Sequence, residues 1–207
     1  MSRPPHARAA ILAAAEEIVK DIGAANLTYD ELVRRSGITR GGITYHFPTK
    51  DGLLRALVEH DLQRWNDCLA EKRAACDAAA VPVRSPVVAD LLAYITSGSE
   101  PSPETSRLCA GLLSAATSSR DLNGPWRDFF ATQRKALEEA PDPDMAAILS
   151  LAVDGLFWLE TLGLSSLPAR RRASVVRRMT ALAAGMDEDA ARDAPAPSRE
   201  AAARRRA

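Results

Sequence analysis

The chain has 207 residues, enough for one well-buried domain or for a small module that shares its core with a larger body. Lysine plus arginine and aspartate plus glutamate balance at 27 each, so no global charge marks a nucleic-acid, membrane or acidic partner, and any basic surface has to be local. Aromatic residues are only 5 % of an alanine- and arginine-rich composition, which disfavours sheet and points to an all-α fold.

No run approaches the roughly 20 apolar residues of a membrane span. The start, MSRPPHAR, leads into an amphipathic rather than a continuously apolar segment. A soluble, non-exported protein with no membrane partner is expected. The cysteines Cys68, Cys76 and Cys109 are odd in number and lack CxxC spacing. On one helix Cys68 and Cys76 would stand about 12 Å apart, too far for a bridge. A reducing cytoplasm fits this usage.

In chain order, Ile11, Ala14, Ala15, Ile18, Val19 and Ile22 recur at helical spacing and predict a first amphipathic helix from His6 to Ile22, ended by Gly23. Thr28 with Glu31 three residues on reads as a capping box, each side chain satisfying the other's backbone N–H, and opens a short helix from Tyr29 to about Ser36. Gly37 suits a left-handed turn, and Ile38 plugs the angle it makes. Thr39 caps a third helix to about His46, which Pro48 stops before a fourth begins at Thr49.

The fourth helix is long, because Leu53, Leu54, Leu57, Val58, Leu62, Trp65 and Leu69 hold the period up to the alanine-rich stretch before Pro82. Further helices are expected at Pro86 to Ser97, Thr105 to Ser118, Pro125 to Ala140, Pro143 to Leu164 and Pro168 to Met186. Asn123, Asp142 and Ser166 stand where their caps belong. Beyond Asp187 the large apolar residues stop, and residues 189–207 read as a disordered tail ending in Arg204, Arg205 and Arg206.

Three short helices separated by Gly23 and Gly37, with Ile18, Ile22, Leu27, Leu32, Val33, Ile38, Ile43 and Phe47 as candidate core, describe a helix-turn-helix head whose last helix lies in the major groove of DNA. Its outward residues would be Thr39, Arg40, Gly42, Thr44, Tyr45 and His46. Arg40 can pair with guanine or a phosphate, the threonines with phosphates or a thymine methyl, and Tyr45 and His46 each offer a hydrogen bond and a flat face. Gly41 and Gly42 cost a helix about 1 kcal/mol each relative to alanine. Close approach of bare backbone to DNA would compensate.

The run ILAAAEEIVKDIGAANLTYDELVRRSGITRGGITYHFPTKDGLL, Ile11 through Leu54, resembles the N-terminal domain of the tetracycline-repressor (TetR) family of regulators. Gly23, Thr28, Ser36-Gly37-Ile38, Thr39-Arg40-Gly41 and His46-Phe47-Pro48-Thr49-Lys50 follow that family's pattern in order and spacing. The resemblance adds Lys50 as a phosphate contact at a helix N-terminus, so that the candidate DNA set is Thr28, Thr39, Arg40, Gly41, Gly42, Thr44, Tyr45, His46 and Lys50. Thr44 stands where the family often has tyrosine and Gly42 where a hydroxyl or alanine is commoner, so no base preference carries over. The implied organisation is a DNA-binding domain over 1–50, a ligand-binding and dimerisation domain over 51–188, and the tail.

Within that body Trp65, Asn66, Leu69, Cys109, Trp126, Phe130, Asp154 and Trp158 are candidate pocket residues for an unknown small-molecule effector. Asp154, in the apolar string SLAVDGLFWLE, needs an arginine or a cationic ligand group if it is buried. Leu156, Leu159, Gly163, Val175, Val176, Met179 and Leu182 are the candidate homodimer interface, a four-helix bundle. The expected function is a ligand-responsive repressor on a near-palindromic operator in double-stranded DNA. A ligand-sequestering or protein-interaction dimer without DNA is the alternative. No GxGxxG, P-loop or GxSxG string and no telling Cys–His spacing points to an enzyme, a cofactor or a metal.

Overall fold

The structure is a computed structural model and describes residues 4–78 and 85–193. In chain order the helices are α1 (Pro4–Ile22), α2 (Tyr29–Ser36), α3 (Arg40–His46), α4 (Lys50–Ala78), α5 (Pro86–Gly98), α6 (Pro103–Ser118), α7 (Gly124–Leu137), α8 (Pro143–Thr161) and α9 (Ala169–Asp193). Two 3-10 turns, Ala24–Asn26 and Arg120–Asn123, join them, and no strand occurs among the described residues.

The caps explain why the short helices start where they do. Thr28 Oγ1 accepts from Glu31 N at 3.2 Å, and Thr39 Oγ1 accepts from Gly42 N at 3.2 Å. Gly37 closes α2 at φ 69°, a conformation that costs a glycine little. Asp142 caps α8 through Met145 N at 2.9 Å. Three expected caps differ, the first being Ser166, which stands two residues before Pro168, the residue immediately ahead of α9. The Glu31 carboxylate turns to Arg34 and Arg35 instead of completing the box. Asn123 makes no side-chain cap, since it ends a 3-10 turn that runs directly into α7.

Two hydrophobic cores form. The first joins Ile11, Ile18, Leu27, Leu32, Ile43 and Phe47 of the head to Leu53, Leu54 and Leu57 of α4, and also to Leu108, Leu112 and Leu122 from further along the chain. Head and body therefore share a core across residue 50. The second joins Leu91 and Ile95 of α5, Leu149, Val153 and Leu156 of α8, and Met179, Ala183 and Met186 of α9. Helix α4 runs past both, with its C-terminal half presenting Trp65 and Leu69 to the second.

Several positions depart from the periodicity. Ile22, expected in the core, is 45 % exposed, because the chain turns away at Gly23 (φ 84°) before that face reaches the interior. Leu156 and Met179 lie in the second core of their own chain rather than on an outer face. Helix α9 continues beyond Met186 to Asp193. Asp187 accordingly lies inside it, where its carboxylate accepts from Ser85 N at 3.1 and 3.2 Å. Residues 194–207, with Arg204, Arg205 and Arg206, lie outside the described residues. No helix among the described residues is long and apolar enough to cross a membrane.

Candidate DNA interface and ligand cavity

Helix α3 is held by its inner residues and leaves its outer ones exposed. Ile43 and Phe47 are buried, and Tyr29 of α2 donates its hydroxyl to the Phe47 carbonyl oxygen at 2.9 Å, pinning the two helices together. Ser36 Oγ accepts from Ile38 N at 3.1 Å and donates to the Leu32 carbonyl oxygen at 2.6 Å, ordering the turn. On the opposite side stand Thr39, Arg40, Gly41, Thr44 and Tyr45, all exposed. Tyr45 is 81 % exposed, with its ring edge-on to His46 at 5.1 Å.

The charged candidates carry intramolecular partners. Arg40 Nη1 donates to Asp30 Oδ1 at 2.8 Å, and its guanidinium lies 5.4 Å from the centre of the Tyr29 ring. Lys50 Nζ donates to the Ala25 carbonyl oxygen at 3.0 Å, across the start of α4. Thr44 Oγ1 donates to the Arg40 carbonyl oxygen at 2.9 Å, and Thr28 is exposed at the start of α2. Arg34 and Arg35 hold the Glu31 carboxyl well below the usual range, at about 2. Arg35 also donates to Asp21 at 2.6 Å, closing α2 onto α1.

The two helical glycines differ. A Cβ on Gly42 would come within 2.9 Å of Ile38 Cγ2 and 3.4 Å of Thr39 Oγ1, whereas one on Gly41 would meet open space. Packing of the turn thus accounts for Gly42. Only Gly41 is left to the argument from bare backbone.

A cavity of about 320 Å³ lies between α4, α5, α6, α7 and α8. Trp65, Cys109, Trp126, Phe130, Asp154 and Trp158 of the expected set line it, joined by Tyr94, Phe129 and Phe157. All three tryptophans of the chain are in that wall. Trp65 meets Tyr94 and Phe157 edge-on at 6.1 Å each. Asn66 is exposed on α4 and Leu69 packs on the second core, so neither reaches the wall. Trp65 and Asn66 are neighbours in the chain, yet a helix turns by about 100° per residue and carries the amide out of the cavity.

Two carboxylates in the wall behave differently. Asp61 is partnered: it accepts from Arg64 Nη2 at 2.9 Å and from the Cys109 thiol at 3.5 Å. Burial, and then Asp61, push the Cys109 thiol up, so it stays a thiol rather than a nucleophile. Arg64 continues to Glu16 of α1 at 3.0 and 3.1 Å, and Lys20 bonds the same carboxylate at 3.1 Å. Burial alone would raise the Glu16 carboxyl, but these two cations hold it below its ordinary value. Asp154 is bonded by the Tyr94 hydroxyl rather than by an arginine. Burial raises its carboxyl above the usual range, against a smaller opposing effect of that bond.

The sequence reading missed Tyr94, Asp61 and Arg64. Tyr94 had a signal, a lone hydroxyl in the apolar string LLAYI. Asp61 follows His60 in a polar stretch of α4 and carries no such signal. Among the described residues no group of three or more His, Cys, Asp or Glu could hold a metal.

On the far side of α8, Ile148 and Leu151 are 58 % and 70 % exposed, and Leu159 and Leu162 are also exposed on the same stripe. Gly163 is exposed just beyond. Val175, Val176 and Leu182 of α9 are half-buried against the second core. Arg172 fastens α9 to this corner, donating to Glu160 Oε2 at 2.9 Å and to the Ser99 carbonyl oxygen at the end of α5.

An all-α body carrying a three-helix head with an exposed third helix defines a protein of the helix-turn-helix class. Residues 11–57 match the model of the bacterial regulatory proteins of the tetR family, and residues 89–184 match the tetracyclin repressor-like C-terminal domain. The chain belongs to the TetR family. The HTH-type transcriptional regulator BetI 1 of Chromohalobacter salexigens is 33 % identical over 70 residues, which is 34 % of this chain and 35 % of that protein. BetI of Ectopseudomonas mendocina is 32 % identical over 73 residues, 35 % of this chain and 37 % of its own. The match thus spans little over a third of either relative's length. Among solved structures, a transcriptional regulator from Streptomyces coelicolor A3(2) shares the fold with a TM-score of 0.66, at 23 % identity over 86 % of this chain and 99 % of its own. The multidrug binding protein EbrR complexed with ethidium does so with a TM-score of 0.59, at 23 % identity over 84 % and 98 % of the two chains.

Proposed function

We propose that the chain is a dimeric, ligand-responsive DNA-binding regulator, a repressor that a small apolar or amphipathic molecule releases from its operator. The observation that supports it best is Tyr45, a large aromatic side chain 81 % exposed on α3 while Ile43 and Phe47 anchor the same helix. A ring left in water on a helix this short has a use at an interface.

On this reading α3 enters the major groove. Arg40, Tyr45 and His46 face base edges, Thr39 and Thr44 contact phosphates or a thymine methyl, and Gly41 lets the duplex come close. Gly42 keeps the turn compact beneath them. Thr28 and Lys50 take phosphates at the N-termini of α2 and α4. Arg40 and Lys50 would exchange Asp30 and the Ala25 carbonyl for DNA. Two copies pair through the outer stripe of α8 with α9, and their heads address half-sites about one DNA turn apart, or a little more.

The cavity is the effector site on the same reading. Asp61 and Arg64 belong to its wall, and Arg64 grips Glu16 on α1, so an occupant that shifts α4 also moves the head. The effector acts by its difference in affinity between two head spacings.

The test is fluorescence anisotropy of a labelled fragment taken from upstream of the protein's own gene. Expected are retention that falls with salt, competition by the unlabelled fragment in preference to unrelated DNA, and loss of affinity in Tyr45→Ala and Lys50→Ala with dimerisation intact. Unchanged affinity in both variants sinks the assignment. Absence of retention favours a sequestering or protein-interaction dimer of the same fold.

A further inference from the structure

We infer that the cavity takes an organic monocation, its positive group beside Asp154 and its hydrocarbon against the surrounding rings. This rests on the reading of the cavity as an effector site and supplies the chemistry of the effector.

Three carboxylates belong to the wall: Asp61, Glu100 and Asp154. Asp61 already has Arg64 against it at 2.9 Å, and Glu100 is exposed to water, which screens its charge. Asp154 has neither. It is only partly exposed, and among the described residues no lysine, arginine or histidine pairs with it. Its bonded partner is the Tyr94 hydroxyl, a neutral donor that orients the carboxylate without cancelling its charge. A carboxylate withdrawn from water without a counter-charge weakens a fold. Burial accordingly lifts its proton affinity.

The rest of the wall is what a cation with an organic body needs. Trp65, Trp126, Phe157 and Trp158 share the wall with Asp154, and the negative faces of aromatic rings attract positive charge most strongly where water is excluded. An anionic effector would meet three carboxylates and one cation, Arg64, already shared between Asp61 and Glu16. A bare metal ion would lack ligands, since the wall holds no cluster of three donors among the described residues. Shape and charge together select an alkylammonium or a delocalised aromatic cation.

Intrinsic fluorescence reads the cavity directly, because every tryptophan of the chain lines it. The full-length protein is titrated with benzyltrimethylammonium, with its neutral carbon isostere neopentylbenzene, and with benzenesulfonate. The ammonium is expected to bind at least tenfold more tightly than the hydrocarbon, and the sulfonate least of all. In Asp154→Asn that preference is expected to collapse to within about twofold, with hydrocarbon binding unchanged. Hydrocarbon binding equal to or tighter than the ammonium in the unmodified protein overturns the inference and leaves the cavity standing as an apolar effector site. A preference that survives in Asp154→Asn overturns the role of that residue. If none of the three probes perturbs the fluorescence at millimolar concentration, the effector-site reading itself fails and the inference with it.

Discussion

Gly111 of α6 lies directly against Val19 of α1. A Cβ there would stand 2.6 Å from Val19 Cγ1 and 3.2 Å from the Val19 carbonyl oxygen. The bare face of a body helix is therefore seated on the backbone of a head helix, and the first core runs without a break from Ile43 to Leu112. The head is held by packing as well as by its covalent link to α4.

Gly111→Ala should separate that contact from helix propensity. Alanine gains about 1 kcal/mol inside a helix, but overpacking costs about 1–3 kcal/mol, so the net is a loss of up to about 2 kcal/mol. A thermal midpoint lower by several degrees and weakened DNA binding are expected. Adding Val19→Ala, which removes the nearer clashing atom, should recover part of both. A midpoint raised by Gly111→Ala alone would contradict the close packing.

Arg64 is expected to carry coupling rather than stability. Its side chain is 44 % exposed and screened by water, which discounts its two pairs to about 1 kcal/mol each although Glu16 and Asp61 are only 15 % and 14 % exposed. Arg64→Met should leave the melting temperature nearly unchanged and operator affinity intact without effector, while the drop in affinity on adding effector shrinks several-fold. Full effector response in that variant would remove the Asp61–Arg64–Glu16 link from the mechanism.

Asp154 predicts a pH dependence of stability with an unusual sign. Its folded-state proton affinity is raised, so the native state binds the proton more tightly than the unfolded chain does. The protein should therefore lose stability as pH rises from the ordinary aspartate range, about 3.9, through the elevated native value. Tyr94 donates to this carboxylate, and Asp61, Arg64 and Glu100 share its cavity. Of these Arg64 keeps its charge over this range. Asp154→Asn should abolish that part of the decline and melt higher than the unmodified protein near neutral pH. Parallel midpoint-against-pH curves for the two proteins would show that Asp154 titrates normally.

The stripe Ile148, Leu151, Leu159 and Leu162 is too apolar to be a solvated face of α8. Leu151→Glu and Leu159→Glu should shift the protein from dimer to monomer in sedimentation, with helical content retained. Their operator affinity should fall because two half-sites are no longer engaged together. A dimer that survives both changes would move the interface elsewhere.

What was legible in the sequence was local. The second and third helices were correctly bounded because Thr28, Gly37 and Thr39 act through their own neighbours in the chain, and α4 because its period runs unbroken. Tertiary pairing was not legible. Helix α8 is apolar on most of its faces, so its period could not say which leucines face its own body. Leu156 was assigned outward and lies in the core, while Ile148 and Leu151 were passed over and lie outside. Six of the eight expected pocket residues do line one cavity. The partners that define its chemistry, Tyr94 on α5 and Asp61 and Arg64 on α4, meet there only through helix packing. Glu31 shows the same limit, its capping role displaced by Arg34 and Arg35.

Whether α3 reads DNA is decided by footprinting. The region immediately upstream of the gene is titrated with the full chain and with Tyr45→Ala, and nuclease protection is mapped. Expected is a protected near-palindrome with half-sites about one turn or a little more apart, absent for Tyr45→Ala at the same concentration. An identical footprint for both proteins, or no protected site at any concentration at which the dimer is intact, would contradict it.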